Sequence, residues 1–232
     1  MPTRSIAGCR DRPSRVQAAV LAVAMTVACV EPPPPEPASA DVADATKVAS
    51  RLSEVGSDDR QGERLRFFAD GRLAERSQWV AGERHGVQVT YFEEGLVKER
   101  ATWSHGRRDG PWARWACNGQ VLEEGRWQDG RREGCWRSYH HAGGLESLGC
   151  YAADRREGWW MDFFPDGTVH SLRHYVGDVR EGPFLAWDRA ARLEEVGAFA
   201  GDKRDGAWTA WPASGGVAIT RCYARGRPVE CS

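Results

Sequence analysis

The first 66 residues contain no aromatic side chain. All 11 Trp, 5 Tyr and 7 Phe fall between Phe67 and Tyr223. A segment without large apolar rings has little to bury, so the packed region is expected to start near Gly62 and run to Ser232, as one domain of ordinary size. Long apolar runs are also missing: the longest, "VQAAVLAVAMTVAC", is too short to stay in a bilayer as a helix. No charge sign dominates. The chain carries a net −1, and the first 28 residues hold four Arg against one Asp, which leaves the remainder near −4. That balance argues against a nucleic-acid partner. The sequence holds no glycine-rich phosphate loop, no G-x-S-x-G elbow and no Ser, His and Asp set that its pattern would gather. It reads as a non-enzyme without cofactor or metal.

What the sequence does contain is a period. Gly62, Gly86, Gly110, Gly134, Gly158, Gly182 and Gly206 are spaced 24 residues apart, without insertion. Five residues after each glycine come Phe67, Tyr91, Trp115, Tyr139, Phe163, Trp187 and Trp211. Eleven after it come Leu73, Val97, Val121, Leu145, Val169, Leu193 and Val217. Seventeen after it come Trp79, Trp103, Trp127, Tyr151, Tyr175, Phe199 and Tyr223. Seven units in register mark a stacked-repeat architecture.

Each unit holds two short runs rich in aromatic and β-branched residues, bounded by turn residues, which predicts a β-hairpin. Asp70-Gly71, Glu94-Gly95, Asn118-Gly119 and Asp166-Gly167 mark the mid-unit turn, read here as the tight one. Unit six has Ala190-Ala191 there, which predicts a different or looser turn. The second turn, in "DGRREG", "ADRREG" and "GDKRDG", reads as longer. Two glycine turns per 24 residues leave no room for a helix. The expected fold is all-β: an elongated, single-layer array of antiparallel hairpins. Fourteen strands at about 4.8 Å spacing would extend on the order of 65 Å.

The pattern of a glycine, Trp, a second aromatic, a turn glycine and a "DG-R-R-E/D-G" turn resembles the MORN repeat. It is closest to the variant of bacterial YwqK-type antitoxin-family proteins. The resemblance covers about Gly62 to Arg227 and implies a scaffold or binding surface. It also implies an alternative role, as an antitoxin or immunity-type partner.

Residues 1–28 read as a secretory signal, with Arg4, Arg10, Arg12 and Arg15 ahead of the apolar run. The run ends at Thr26-Val27-Ala28-Cys29, which resembles a bacterial lipobox with Thr26 where Leu is usual. The resemblance implies lipidation of Cys29 and a membrane-anchored envelope protein, on the outer membrane or facing the periplasm. Cleavage by ordinary signal peptidase, giving a secreted protein, is the other reading. Residues 29–61 open with "CVEPPPPEPASAD", a proline-rich and semi-rigid tether. Within them Val42, Ala45, Val48, Ala49, Leu52 and Val55 share one helical face, so this stretch is either a short helix capping the first hairpin or a linker.

Five cysteines follow Cys29. A hairpin centred on the mid-unit turn sets the residue after the column glycine opposite the residue sixteen after it, which are Cys135 and Cys150. The inter-unit turn sets Cys222 against Cys231. In an exported protein both pairs read as disulfides, with Cys117 left as a small turn or buried residue. Cys117 and His141 occupy equivalent positions two strands apart, too far to share zinc, and His170 and His174 lack a third ligand. The paired basics Arg107-Arg108, Arg131-Arg132, Arg155-Arg156 and Lys203-Arg204 suggest an anionic-lipid ladder. The acids that follow them predict a charge-balanced, solvated turn edge instead.

Most aromatic columns must be core. "GWWMDFF" carries an excess: Trp159 beside Trp160 and Phe163 beside Phe164. Strand neighbours point to opposite faces, so one of each pair is expected to be exposed. These four residues are the candidate surface for an unknown protein or envelope partner.

Overall fold

A computed structural model describes residues 60–231, all within one compact unit. The signal segment, Cys29 and the helix-or-linker stretch lie outside the described residues. Fifteen antiparallel strands, from β1 (Gly62–Phe67) to β15 (Arg227–Val229), form one open sheet in strict sequence order. Every connection is therefore a hairpin, and each strand pairs only with its neighbours in the chain. Among the described residues there is no helix and no second layer. The protein is an all-β repeat array.

The turns are the reverse of the sequence expectation. The inter-unit turns are the tight ones. Ala81-Gly82, between β2 (Leu73–Val80) and β3 (Glu83–Tyr91), and its equivalents down to Arg225-Gly226 are two-residue loops. Both loop residues have positive φ, as at Asp129 (49°) and Gly130 (81°) or Gly177 (59°) and Asp178 (75°). That geometry matches the right-handed twist of the flanking strands. The mid-unit turns of units one to six span five residues, such as 68–72, closed by Phe68 N–H to Arg72 O at 2.8 Å and Gly71 N–H to Phe68 O at 3.0 Å; that of unit seven spans 211–218. Runs like "DGRREG" looked long because their arginines and glutamate already belong to the next strand.

Unit six differs less than its sequence suggested. Ala191 takes φ 56°, the conformation glycine holds elsewhere in this column. The same bonds close the turn, Asp188 N–H to Arg192 O and Ala191 N–H to Asp188 O, both 2.9 Å. Asp188 Oδ1 also accepts from the backbone N–H of Ala190 at 2.9 Å and of Arg192 at 2.8 Å. Local hydrogen bonding offsets the cost of a Cβ in the left-handed region.

The 24-residue glycine column has one cause. All seven column glycines have positive φ, from 67° at Gly134 to 126° at Gly110. The six after Gly62 sit in a bulge: in the first, Ser77 pairs with Gln88 and Trp79 with Arg84, so Gln78 alone faces His85, Gly86 and Val87. A Cβ on Gly86 would come within 2.0 Å of Gln78 Oε1. The positive φ favours glycine throughout the column, and close contacts add to it at Gly86 and Gly110.

A single sheet must build its core from side chains lying against each other on its own faces. One face carries the cluster Val89, Tyr91, Val97, Ala113 and Trp115. The other carries Ala101, Trp112 and Trp136, flanked by Trp103, Trp127 and Tyr151. The core is correspondingly thin.

Candidate functional site

The face holding Trp112 and Trp136 is a ladder of rings. Rings two after the column glycine alternate with rings seventeen after it. Centroid distances run 6.4 Å from Trp112 to Trp127, 5.5 Å to Trp136, 5.9 Å to Tyr151, 5.1 Å to Trp160 and 6.3 Å to Tyr175. Phe184, Phe199 and Trp208 continue it at 5.6 and 5.0 Å. Most are edge-to-face, each contributing about 0.5–1.5 kcal/mol beyond the area it buries. Gly125, Gly149 and Gly197 lie directly under Trp136, Trp160 and Trp208; a Cβ on any of them would come within 2.2–2.3 Å of the indole. The indole N–H groups of these three tryptophans bond the carbonyls of Arg126, Cys150 and Ala198. The rings are fixed in plane as well as in position.

Arginines are threaded through the ladder. The arginine at the second position after a tight turn lays its guanidinium over a ring: Arg132 on Tyr151 at 3.9 Å, Arg156 on Tyr175 and Arg180 on Phe199, both at 4.1 Å. Its acid partner depends on one turn residue. Where the turn ends in Asp, the arginine bonds it: Arg132 to Asp154, Arg156 to Asp178, Arg180 to Asp202. Where it ends in Gly106 or Gly226, the arginine turns back to a strand carboxylate, Arg84 to Glu75 and Arg204 to Glu195; Arg108, beside Gly130, does the same with Glu99. The following acid caps the next turn, with Glu157 Oε2 accepting from Gly177 N–H and Glu181 Oε2 from Gly201 N–H, both at 2.8 Å. Arg156 holds the Asp178 carboxyl below the ordinary carboxylate range, and Arg180 does the same for Asp202. Half of each basic pair is thus committed to ring and acid, while Arg107, Arg131, Arg155 and Lys203 are exposed.

Trp159, Trp160, Phe163 and Phe164 do not form one patch. Trp160 is a rung of the ladder. Trp159 lies on the opposite face with its ring 5.0 Å from His174. Phe163 closes its strand, in the column of Tyr91 and Trp115. Phe164 sits in the mid-unit turn against His170 (4.5 Å), with the Arg189 guanidinium 5.4 Å from its ring. All four are half-buried, so neither pair divides into one buried and one exposed member. The neighbouring histidines and Arg189 cover what strand alternation turns outward. Five residues of strand separate Trp159 from Phe164, about 17 Å.

Cys222 and Cys231 are bonded, with Cα atoms 5.2 Å apart. The strand register sets Val229 opposite Cys222. Cys231 reaches it because the residue sixteen after the glycine faces the bulge, as Gln78 does in accepting from Val87 N–H. Cys135 and Cys150 are directly opposed. Their sulfurs are 2.9 Å apart and Cys150 carries a free thiol, so the bridge between them is not closed in this structure. Burial pushes the Cys150 thiol pKa up. Cys117 is an exposed turn residue with a free thiol. Among the described residues no group of three or more His, Cys, Asp or Glu is placed to hold a metal ion. His140 bonds the Phe163 carbonyl through Nε2 at 2.9 Å.

The column two after the glycine, Arg64, Gln88, Trp112, Trp136, Trp160, Phe184 and Trp208, was not among those read from the sequence. Its change from polar residues to rings at Trp112 marks where the ladder begins.

No family model and no curated protein matches the chain. Among solved structures, similarity is found to the crystal structure of the GtfA/B complex bound to UDP and GlcNAc. The identity is 10% and the TM-score 0.23, over 63% of this chain and 25% of that one.

Proposed function

We propose that this protein is a non-catalytic envelope lipoprotein, anchored through Cys29, whose MORN-like array serves as a scaffold that binds a protein or envelope component. The observation that supports a scaffold is the fixed ring ladder. Hairpins joined only to their neighbours hold rings and guanidiniums at a constant interval, and the stacked, hydrogen-bonded rings make the sheet a rigid frame. Side chains displayed on a rigid frame are pre-organised and lose little entropy on binding. The anchor rests on the sequence of residues 1–61 alone. The partner surface is assigned to two separate half-buried contacts off the ladder, Trp159 on the opposite face and Phe164 in its mid-unit turn.

The test combines fractionation with capture. Cys29→Ser should move the protein out of the membrane fraction and stop lipid labelling; unchanged detergent partitioning would overturn the anchor. Trp159→Ala with Phe164→Ala should lose an envelope partner that the wild-type chain captures, while near-ultraviolet circular dichroism stays the same. Capture that persists moves the site elsewhere. Growth rescue on co-expression with a toxin encoded beside this gene would replace the scaffold reading with the antitoxin one.

A further inference from the structure

The ring ladder ends at Trp112: two residues after the column glycine, units three to seven place Trp112, Trp136, Trp160, Phe184 and Trp208, while unit two places Gln88 and unit one Arg64. A cavity of about 200 Å³ opens above Ala101, walled by Arg84, Gln88, Thr90, Glu99, Trp103 and Arg108. That is too small for a drug-sized ligand, whose sites run to about 300–1,000 Å³. It suits one side chain.

The charges beside this cavity do not balance. Glu75 is buried and serves three donors at once: Gln88 Nε2 at 2.7 Å, Arg66 Nη1 at 3.2 Å and Arg84 Nη2 at 3.5 Å. Glu99 is taken by Arg108 Nη2 at 2.6 Å and by the indole N–H of Trp112 at 2.9 Å. Three guanidiniums therefore share two carboxylates, and Arg84 has the longest of these bonds. Elsewhere in the ladder an aspartate binds the arginine through Nε, as Asp178 does Arg156 at 2.8 Å. The turn beside Arg84 offers Gly106 instead. Arg84 Nε and Trp103 Nε1, both on residues lining the cavity, are buried without an acceptor. Buried N–H groups without partners and an undershared guanidinium call for an acceptor that carries negative charge.

We propose that this cavity is a binding site for one carboxylate side chain of an acidic peptide segment, which inserts above Ala101 at the end of the ladder and pairs with Arg84. The guanidiniums of Arg84 and Arg108 flank Trp103, at 5.1 and 5.6 Å from its ring, so a sugar ring has no open indole face to stack on. That favours a peptide carboxylate over an acidic polysaccharide. The site is separate from Trp159 and Phe164, so it stands or falls independently of the surface assigned above.

The test uses the full chain and three probes: an end-blocked Gly-Glu-Glu-Gly peptide, its Gly-Gln-Gln-Gly counterpart and trigalacturonate. Titration followed by the indole N–H resonance of Trp103 should show saturable binding of the glutamate peptide alone, weakened by salt. Arg84→Gln should weaken it about tenfold or more, the loss expected for one charge-assisted pair. Gly106→Asp should give Arg84 Nε the turn aspartate that Arg132, Arg156 and Arg180 have and abolish binding, at a turn position that holds Asp in three other units. Arg180→Gln, whose guanidinium is committed to Asp202, should leave binding unchanged. Equal binding of the glutamine peptide, binding of trigalacturonate in place of the glutamate peptide, no response from any probe, or full binding by Gly106→Asp would each overturn the proposal.

Discussion

Asp178 holds Arg156 from the next turn along the array. Its Oδ1 accepts from the Arg156 backbone N–H at 3.1 Å and from Nε at 2.8 Å, while its carbonyl takes Nη2 at 3.5 Å. The same guanidinium lies over Tyr175. One aspartate thus links two consecutive inter-unit turns and keeps a cation on a ring.

That link titrates. Because the folded-state pKa of Asp178 is depressed, chiefly by Arg156, its stabilising effect is fully present above the unfolded value of about 3.9 and is lost as pH falls through the folded value. The protection factor of the Arg156 amide should therefore hold down to about pH 4 and fall below it, and Asp178→Asn should remove most of that pH step. An acid-insensitive protection factor in the wild-type chain would contradict the link.

The glycines under the indoles are packing positions. Gly149→Ala would drive a methyl group into the Trp160 ring and should cost about 1–3 kcal/mol in urea unfolding. Trp160→Ala should cost about 3 kcal/mol. In the double variant the Gly149→Ala penalty should largely vanish, because the ring it strikes is gone. Additive costs would show that the two do not act through each other.

At unit six, Ala191→Gly should stabilise the array by about 1 kcal/mol, relieving a Cβ at positive φ. Thermal melts that show no gain would mean the Asp188 hydrogen bonds fully offset that strain.

Thiol chemistry should separate the cysteines. Peptide mapping without reduction should join Cys222 to Cys231. At pH 8 the exposed Cys117 should alkylate at least about tenfold faster than Cys150, whose thiolate is disfavoured by burial. Equal rates would argue against a half-buried Cys150.

Because each strand touches only its sequence neighbours, removal of residues 158–181, one whole unit, should leave a folded and shorter array. Removal of 12 residues from the same place should unfold it, since one strand loses both its partner and its turn. Equal damage in circular dichroism would refute the modular array.

The period by itself determined the all-β class, fourteen of the fifteen strands (all but β15) and the mid-unit register that opposes Cys135 to Cys150. All three depend on residue types recurring at fixed spacing, which the chain carries openly. The tertiary structure decided what depends on shape. It made the inter-unit turns the tight ones, because two consecutive residues at positive φ fit the twist of the strands even where Ala81, His105 or Arg225 stands first. It split Trp159 from Phe164, because the pleat sends one to a face and the turn takes the other. It also chose each arginine's partner between a turn aspartate and a strand glutamate. That choice hangs on whether one turn residue is Gly or Asp and on which carboxylate the folded bulge brings within reach, a distance that no linear spacing contains.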